Sequence, residues 1–144
     1  DREYYERCLE RQDIGDLDIY VVSLPDAGML GHCILNWIPR YAMFKTLGFP
    51  EIQDLNVVSD YRRRGIGQAL IEYCEDYAVQ KGHDTMGIGV GLDHSFGAAQ
   101  RLYVRLGYVP DGNGVTYDRQ PVAMGDFKPI DENLSLMMTK SLKN

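Results

Sequence analysis

The chain has 144 residues, 44% of them hydrophobic, enough for one domain (residues 1–144) with a full core. Its 15 lysines and arginines against 21 aspartates and glutamates leave a net charge of −6, which excludes nucleic acid as the main partner because no basic excess exists to displace counterions. No run approaches the roughly 20 apolar residues of a membrane span.

No stretch reads as a signal peptide. The three cysteines, Cys8, Cys33 and Cys74, form no CxxC pair and are odd in number, which fits a reducing cytoplasm. His32, His83 and His94 are scattered without metal-ligand spacing, so no metal is expected. The chain opens at Asp1 without methionine, so residues ahead of it are expected.

In chain order, Tyr4, Tyr5, Cys8 and Leu9 recur at helical spacing over 3–12. A β-rich run at 18–24 leads through the turn formers Pro25 and Gly28 to a return strand at 31–38. Residues 39–50 read as a loop containing Tyr41, Phe44 and Phe49. Residues 51–59 read as a strand, and 66–81 as a helix with Ile66, Ala69, Leu70, Tyr73 and Tyr77 on its buried face. Glu72, Glu75 and Asp76 fall on its solvated side. A strand at 84–90 completes a parallel βαβ unit. Ser95 is the expected N-cap of a helix at 96–106 that ends at Gly107. Turn formers fill 108–133 around a short strand at 115–119, and a last strand spans 134–139.

Between the strand at 51–59 and the helix at 66–81 lies Arg62-Arg63-Arg64-Gly65-Ile66-Gly67-Gln68. Unpaired N–H groups and the macrodipole at a helix N-terminus favour an anion, and glycine lets the backbone approach it. Arginine forks suit phosphate oxygens. The plainer reading is a solvated basic turn. The phosphate-loop pattern ending in Gly-Lys-Ser/Thr is absent, and the dinucleotide fingerprint fails because Leu70 stands where its third glycine belongs.

Arg62-x-x-Gly65-x-Gly67 resembles the cofactor loop of the GNAT superfamily of N-acetyltransferases. Ala99-x-x-Leu102-Tyr103-x-x-x-Gly107-Tyr108 resembles that family's second motif, in the family's order and spacing. The resemblance covers residues 51–110. It implies a mixed α/β fold: a twisted mixed sheet of about six strands with helices on both faces. The first strand is missing or short, because nothing before Asp18 matches it. It further implies acetyl-CoA as co-substrate, held by Arg62, Arg63, Arg64, Gly65, Ile66, Gly67 and Gln68. A strand bulge matching Val57 and Val58 would free backbone for the pantetheine arm.

The implied reaction is direct acetyl transfer to an amine. A lysine-like amine with pKa about 10.4 must lose a proton, which costs about 4.6 kcal/mol at pH 7. Glu51 stands 11 positions before Arg62, where protein-acetylating members of the family carry the general base. Asp54 is the second candidate, on the opposite face if the strand is regular. Tyr103 matches the tyrosine that protonates the departing thiolate, although its helical spacing also suits a core aromatic. One departure is Phe96, where many members have asparagine. The competing reading is a catalytically idle acyl-CoA-binding or regulatory domain. A nucleic-acid module built on the arginines is the third, and the acidic balance opposes it. The expected partner is a small-molecule or peptide amine, with no membrane, and the assembly is a monomer or a homodimer. Loops 39–50 and 110–133 would shape the acceptor pocket, where Asp111, Asp118, Asp126 and Asp131 hint at a cation.

Overall fold

The computed structural model describes residues 2–143. Helix α1 (Arg2–Asp13) precedes an antiparallel hairpin of β1 (Leu17–Leu24) and β2 (Gly28–Asn36), and no strand precedes Leu17 among the described residues. Helix α2 (Ala42–Leu47) follows inside the segment expected to be a loop. Six residues are too few to show a periodic stripe, so α2 is held by tertiary packing of its buried Phe44 and closed by Gly48 at φ 76°. Strand β3 (Glu51–Val57), helix α3 (Ile66–Gln80) and strand β4 (Thr85–Gly91) form the expected βαβ unit with parallel strands. Helix α4 (Gly97–Arg105), β5 (Val109–Tyr117), β6 (Gln120–Pro121) and β7 (Leu134–Ser141) complete the order.

These strands make one mixed sheet in the order β1-β2-β3-β4-β7-β5-β6. Seven strands stand where about six were expected, the extra one being the two-residue β6. Strand β5 starts six residues earlier than the sequence suggests. A register shift between Pro110 and Val115 lets the Gly-Asn-Gly stretch bulge outward without losing β7.

Alternation along the strands feeds two cores. On one face Leu70, Ile71, Cys74 and Ala78 of α3, with Tyr103 of α4, pack on Cys33, Leu35, Ile52, Met86 and Ile88. On the other, Cys8 of α1 packs with Leu17 and Ile34, and Phe44 of α2 with Tyr41 and Met137. Helices therefore cover both faces, as expected.

The buried side of α3 is rotated from the expected one. Ile71, Cys74 and Ala78 form the inner stripe, and Tyr73 lies on the rim, edge-on to Tyr20 at 5.0 Å. Glu75 is buried instead of solvated, because Lys140 Nζ (2.9 Å) and the Tyr108 hydroxyl (2.7 Å) both donate to it. Cys33 and Cys74 are buried thiols with sulfurs 3.6 Å apart, in keeping with small hydrophobes. Ser95 does not cap α4. Its hydroxyl donates to Asp93 inside a 3₁₀ turn, and Phe96 holds the N-cap position. No helix among the described residues is long and apolar enough to cross a membrane.

Candidate active site

Strands β3 and β4 pair only at Glu51↔Gly87 and Ile52↔Ile88, then part. The cause is a bulge. The β2–β3 register steps from Ile34↔Gln53 to His32↔Asn56, so Asp54 and Leu55 share Cys33 as their opposite residue. Asp54 takes φ 54°, a left-handed conformation that aspartate tolerates better than bulkier residues. The bulge thus lies three residues before Val57 and Val58, where the family pattern put it. The Val58 N–H donates to the Leu30 carbonyl at 2.8 Å and is closed to a ligand. Alternation then turns the Val57 N–H away from β2, toward the gap between β3 and β4.

Beyond β3, a 3₁₀ turn (Ser59–Tyr61) delivers the chain to the loop. Gly65 at φ 81° is the N-cap of α3, and Arg63 also takes a positive φ of 63°. The first helical bond runs from the Ala69 N–H to the Gly65 carbonyl at 2.9 Å. The N–H groups of residues 63–68 donate to no group among the described residues. Six open donors leading into a fifteen-residue helix could receive an anion. The arginines frame these donors. Arg62 Nε donates to the Val57 carbonyl at 2.9 Å, which braces the loop on β3, and Arg64 lies 4.8 Å from the centre of the Tyr61 ring.

The parted strands open a cavity of about 940 Å³ that passes from α4 to α1. Tyr103, Phe96 and Ala99 line it from one side, Gln53, Asp54 and Leu55 from β3, and Tyr4, Arg7 and Arg11 from α1. Tyr103 is 5% exposed and makes no hydrogen bond to the described residues, and burial pushes its phenol up to about 12. Phe96, the departure from the family's asparagine, packs across Gly91, where an added Cβ would meet its ring at 2.3 Å.

The two β3 carboxylates differ sharply. Glu51 is fully buried, and Arg119 Nη2 donates to its Oε2 at 2.7 Å. Its Oε1 and Arg119 Nε are both buried without a partner. Burial pushes the Glu51 carboxyl up and the guanidinium pulls it down, burial having the larger effect. Asp54 is exposed, lines the cavity, and accepts from the Tyr4 hydroxyl. Opposite faces for the two were expected of a regular strand, and the bulge at Asp54 breaks that regularity.

Arg119 and Asp118 occupy a two-residue turn between the paired Tyr117 and Gln120, with φ 65° and 48°. Left-handed backbone at two non-glycine residues costs on the order of 1 kcal/mol or more each. Two ion pairs hold this tip over the cavity: Arg119 with Glu51, and Asp118 with Arg40 at 2.8 Å. Sequence reasoning passed over the turn because it lacks the Asn-Gly signal such turns usually carry. It also missed the arginines of α1, whose spacing is visible but whose direction depends on tertiary packing.

The aspartates that hinted at a cation are engaged locally. Asp111 accepts from the Tyr41 hydroxyl, Asp131 from that of Tyr117, and Asp126 from the Ala123 N–H, while Asp118 is paired with Arg40. Of the four, only Asp118 lines the cavity. No group of three or more His, Cys, Asp or Glu among the described residues is placed to hold a metal.

A family model described as the acetyltransferase (GNAT) family matches residues 2–108. An uncharacterized N-acetyltransferase of Methanocaldococcus jannaschii is 31% identical over 107 residues, which are 74% of this chain and 44% of that protein. The chain therefore spans less than half the length of that curated relative. Among solved structures, a ribosomal-protein-alanine N-acetyltransferase from Brucella melitensis aligns with a TM-score of 0.69 at 18% identity, covering 98% of this chain and 78% of its own. The PaiA N-acetyltransferase of Thermoplasma acidophilum, solved with coenzyme A, aligns at 0.65 with 15% identity, covering 97% and 70%. At such identities these structures speak to the fold alone.

Proposed function

Because the chain belongs to the acetyltransferase (GNAT) family, we propose that it is an N-acetyltransferase moving the acetyl group of acetyl-CoA directly to the amine of a small molecule or peptide. One observation carries the reading: the open N–H donors of residues 63–68 stand beside a parted strand pair whose cavity Tyr103 lines. Unpaired thiols and this co-substrate both suit a cytoplasmic setting.

The residues present fit acetyl-CoA. The N–H groups of 63–68 would hold its pyrophosphate, with Arg62, Arg63 and Arg64 adding charge, and the gap-facing Val57 N–H would pair the pantetheine arm or polarise the thioester carbonyl. When bound, it supplies a thioester whose carbonyl carbon bonds to the amine nitrogen as the carbon–sulfur bond breaks. Tyr103 then gives its proton to the leaving sulfur. A phenol is protonated at neutral pH, burial raises this one further, and the same dry site raises the affinity of a thiolate for a proton. The amine's surplus proton goes to a β3 carboxylate. Asp54 lines the cavity and needs no rearrangement to receive it, whereas Glu51 can receive it only once Arg119 swings aside. Cys33 and Cys74 lie sealed in the core, so neither is available as an acylated thiol.

The experiment is acetyl-CoA-dependent thiol release over a panel of amines, run with wild type and Tyr103→Phe. Turnover should fall about 10²–10⁴-fold in the variant if general-acid catalysis is fully used. Affinity for acetyl-CoA should change little, because the hydroxyl acts as charge develops on sulfur. Binding without turnover on any amine would instead identify an idle acyl-CoA-binding domain. Turnover within about twofold of wild type, with chemistry rate-limiting, returns Tyr103 to a core aromatic.

A further inference from the structure

Helix α1 lines the cavity with Tyr4, Arg7, Cys8 and Arg11, of which Tyr4, Arg7 and Arg11 stand at i, i+3 and i+7. They form one stripe along the helix, with the buried Cys8 as its apolar footing. The stripe is chemically graded. At one end the Tyr4 hydroxyl donates to Asp54, the bulge carboxylate at the strand parting. Along the axis from Tyr4, Arg7 stands about 4.5 Å away and Arg11 about 10.5 Å away, by helical rise alone.

Arg11 is fixed in place. Its Nη2 donates to the Asn36 side chain at 3.1 Å and the Ile38 carbonyl at 3.3 Å. Arg7 makes only a 3.9 Å approach to Glu3 and is 62% exposed, so most of its donors face solvent and the cavity. Two further arginines line the cavity, Arg40 and Arg119, each matched by a carboxylate, Asp118 and Glu51 respectively. Arg7 and Arg11 have only 3.9 Å approaches to carboxylates outside the cavity lining, Glu3 and Asp16 respectively, so within the lining they face Asp54 beside Tyr4 and the exposed Glu132. Four arginines converge here in a chain whose net charge is −6.

Resting on the acetyltransferase reading, we infer that the acceptor is a zwitterion: an amine received beside Asp54 and Tyr103 that also carries a carboxylate or phosphate held by Arg7 and Arg11. A polycationic amine would place its second charge against the arginine stripe and is disfavoured. The same chemistry is offered by a free amino acid and by the N-terminus of an acidic peptide. An arginine fork suits either anion.

The test uses amines matched except for the anion: ornithine against putrescine, tyrosine against tyramine, and short peptides with aspartate or lysine as second residue. The ratio of kcat/KM for the anionic member over its partner should be at least about tenfold and should fall as salt screens the exposed arginine. Arg7→Ala should shrink the ratio mainly through KM of the anionic member, Arg7→Lys should restore part of it, and Arg7→Glu should reverse it. Turnover of the amino acids assigns a metabolite, and turnover of the acidic peptides alone assigns a polypeptide N-terminus. Equal or better use of the cationic members, or a ratio unmoved by both Arg7→Ala and Arg7→Glu, overturns the inference while leaving acetyl transfer standing. No turnover of any member, with acetyl-CoA bound, overturns the acetyltransferase reading itself.

Discussion

Two carboxylates three positions apart on one strand meet opposite fates, and the difference is a matter of solvent. Glu51 sits where desolvation favours its neutral form, yet it touches a guanidinium that favours its charge. A guanidinium that never deprotonates cannot relay a proton, so while Arg119 caps it Glu51 has no path to the cavity. Asp54, exposed on a bulge, has one. Replacing the true base with its neutral isostere should depress the rate near neutrality and spare it at high pH, where the amine ionises unaided. We expect Asp54→Asn to show that pH-dependent loss. Glu51→Gln should lower the rate by a similar factor at every pH, through a displaced Arg119. A pH–rate profile in which Glu51→Gln alone recovers at high pH would assign the proton to Glu51 and require Arg119 to move during turnover.

At the scale of elements, the loop between β3 and α3 works through backbone, so its test is a backbone test. Gly65 meets nothing within 4 Å of an added Cβ, but its φ of 81° is one that branched residues avoid. Gly65→Val should therefore weaken acetyl-CoA binding at least about tenfold by tilting the donors of 63–68, while thermal stability falls by no more than about 1–2 kcal/mol. Gly67 is different. An added Cβ there would sit 3.6 Å from Leu102, an ordinary contact, so alanine at 67 should bind acetyl-CoA nearly as well as glycine. Calorimetric affinity unchanged by Gly65→Val, with the fold intact, would remove the loop from the cofactor site. This loop was legible in the sequence because it is local: an apolar strand, a glycine turn and a periodic helix lie within 30 residues of chain. The cavity wall was not. Arg119 reaches Glu51 across 68 positions, and α2 is too short to announce itself. The bulge hides in Asp54, whose left-handed backbone no periodicity encodes. The inner stripe of α3 was misjudged because its tyrosines outweighed the small Cys74 and Ala78 in any hydrophobic tally, yet small residues are what let the helix approach the sheet.

The whole molecule is a sheet in two parts, β1-β2-β3 and β4-β7-β5-β6, joined along one edge by only two residue pairs. Below the parting, the core under α3 spans both parts. Arg119 and Asp118 at the cavity reach Glu51 and Arg40 through ion pairs, and away from the cavity the Tyr41 hydroxyl donates to Asp111 at 2.6 Å. Such an arrangement leaves the free edges of β3 and β4 without the ladder that would stiffen them, and local opening should concentrate there. Acetyl-CoA bound at residues 57–68 and at Tyr103 would touch both sides of the parting and couple them. At a hundredfold excess over Kd, binding to the native state alone stabilises by about 2.7 kcal/mol. For a domain of this size that raises Tm by roughly 5–10 °C. Amide exchange should slow most at residues 54–68 and hardly at the β5–β6 hairpin, which the co-substrate does not reach. A rise in Tm with uniform protection across the chain, or protection confined to the hairpin, would show that the parting of β3 and β4 is not where the ligand acts.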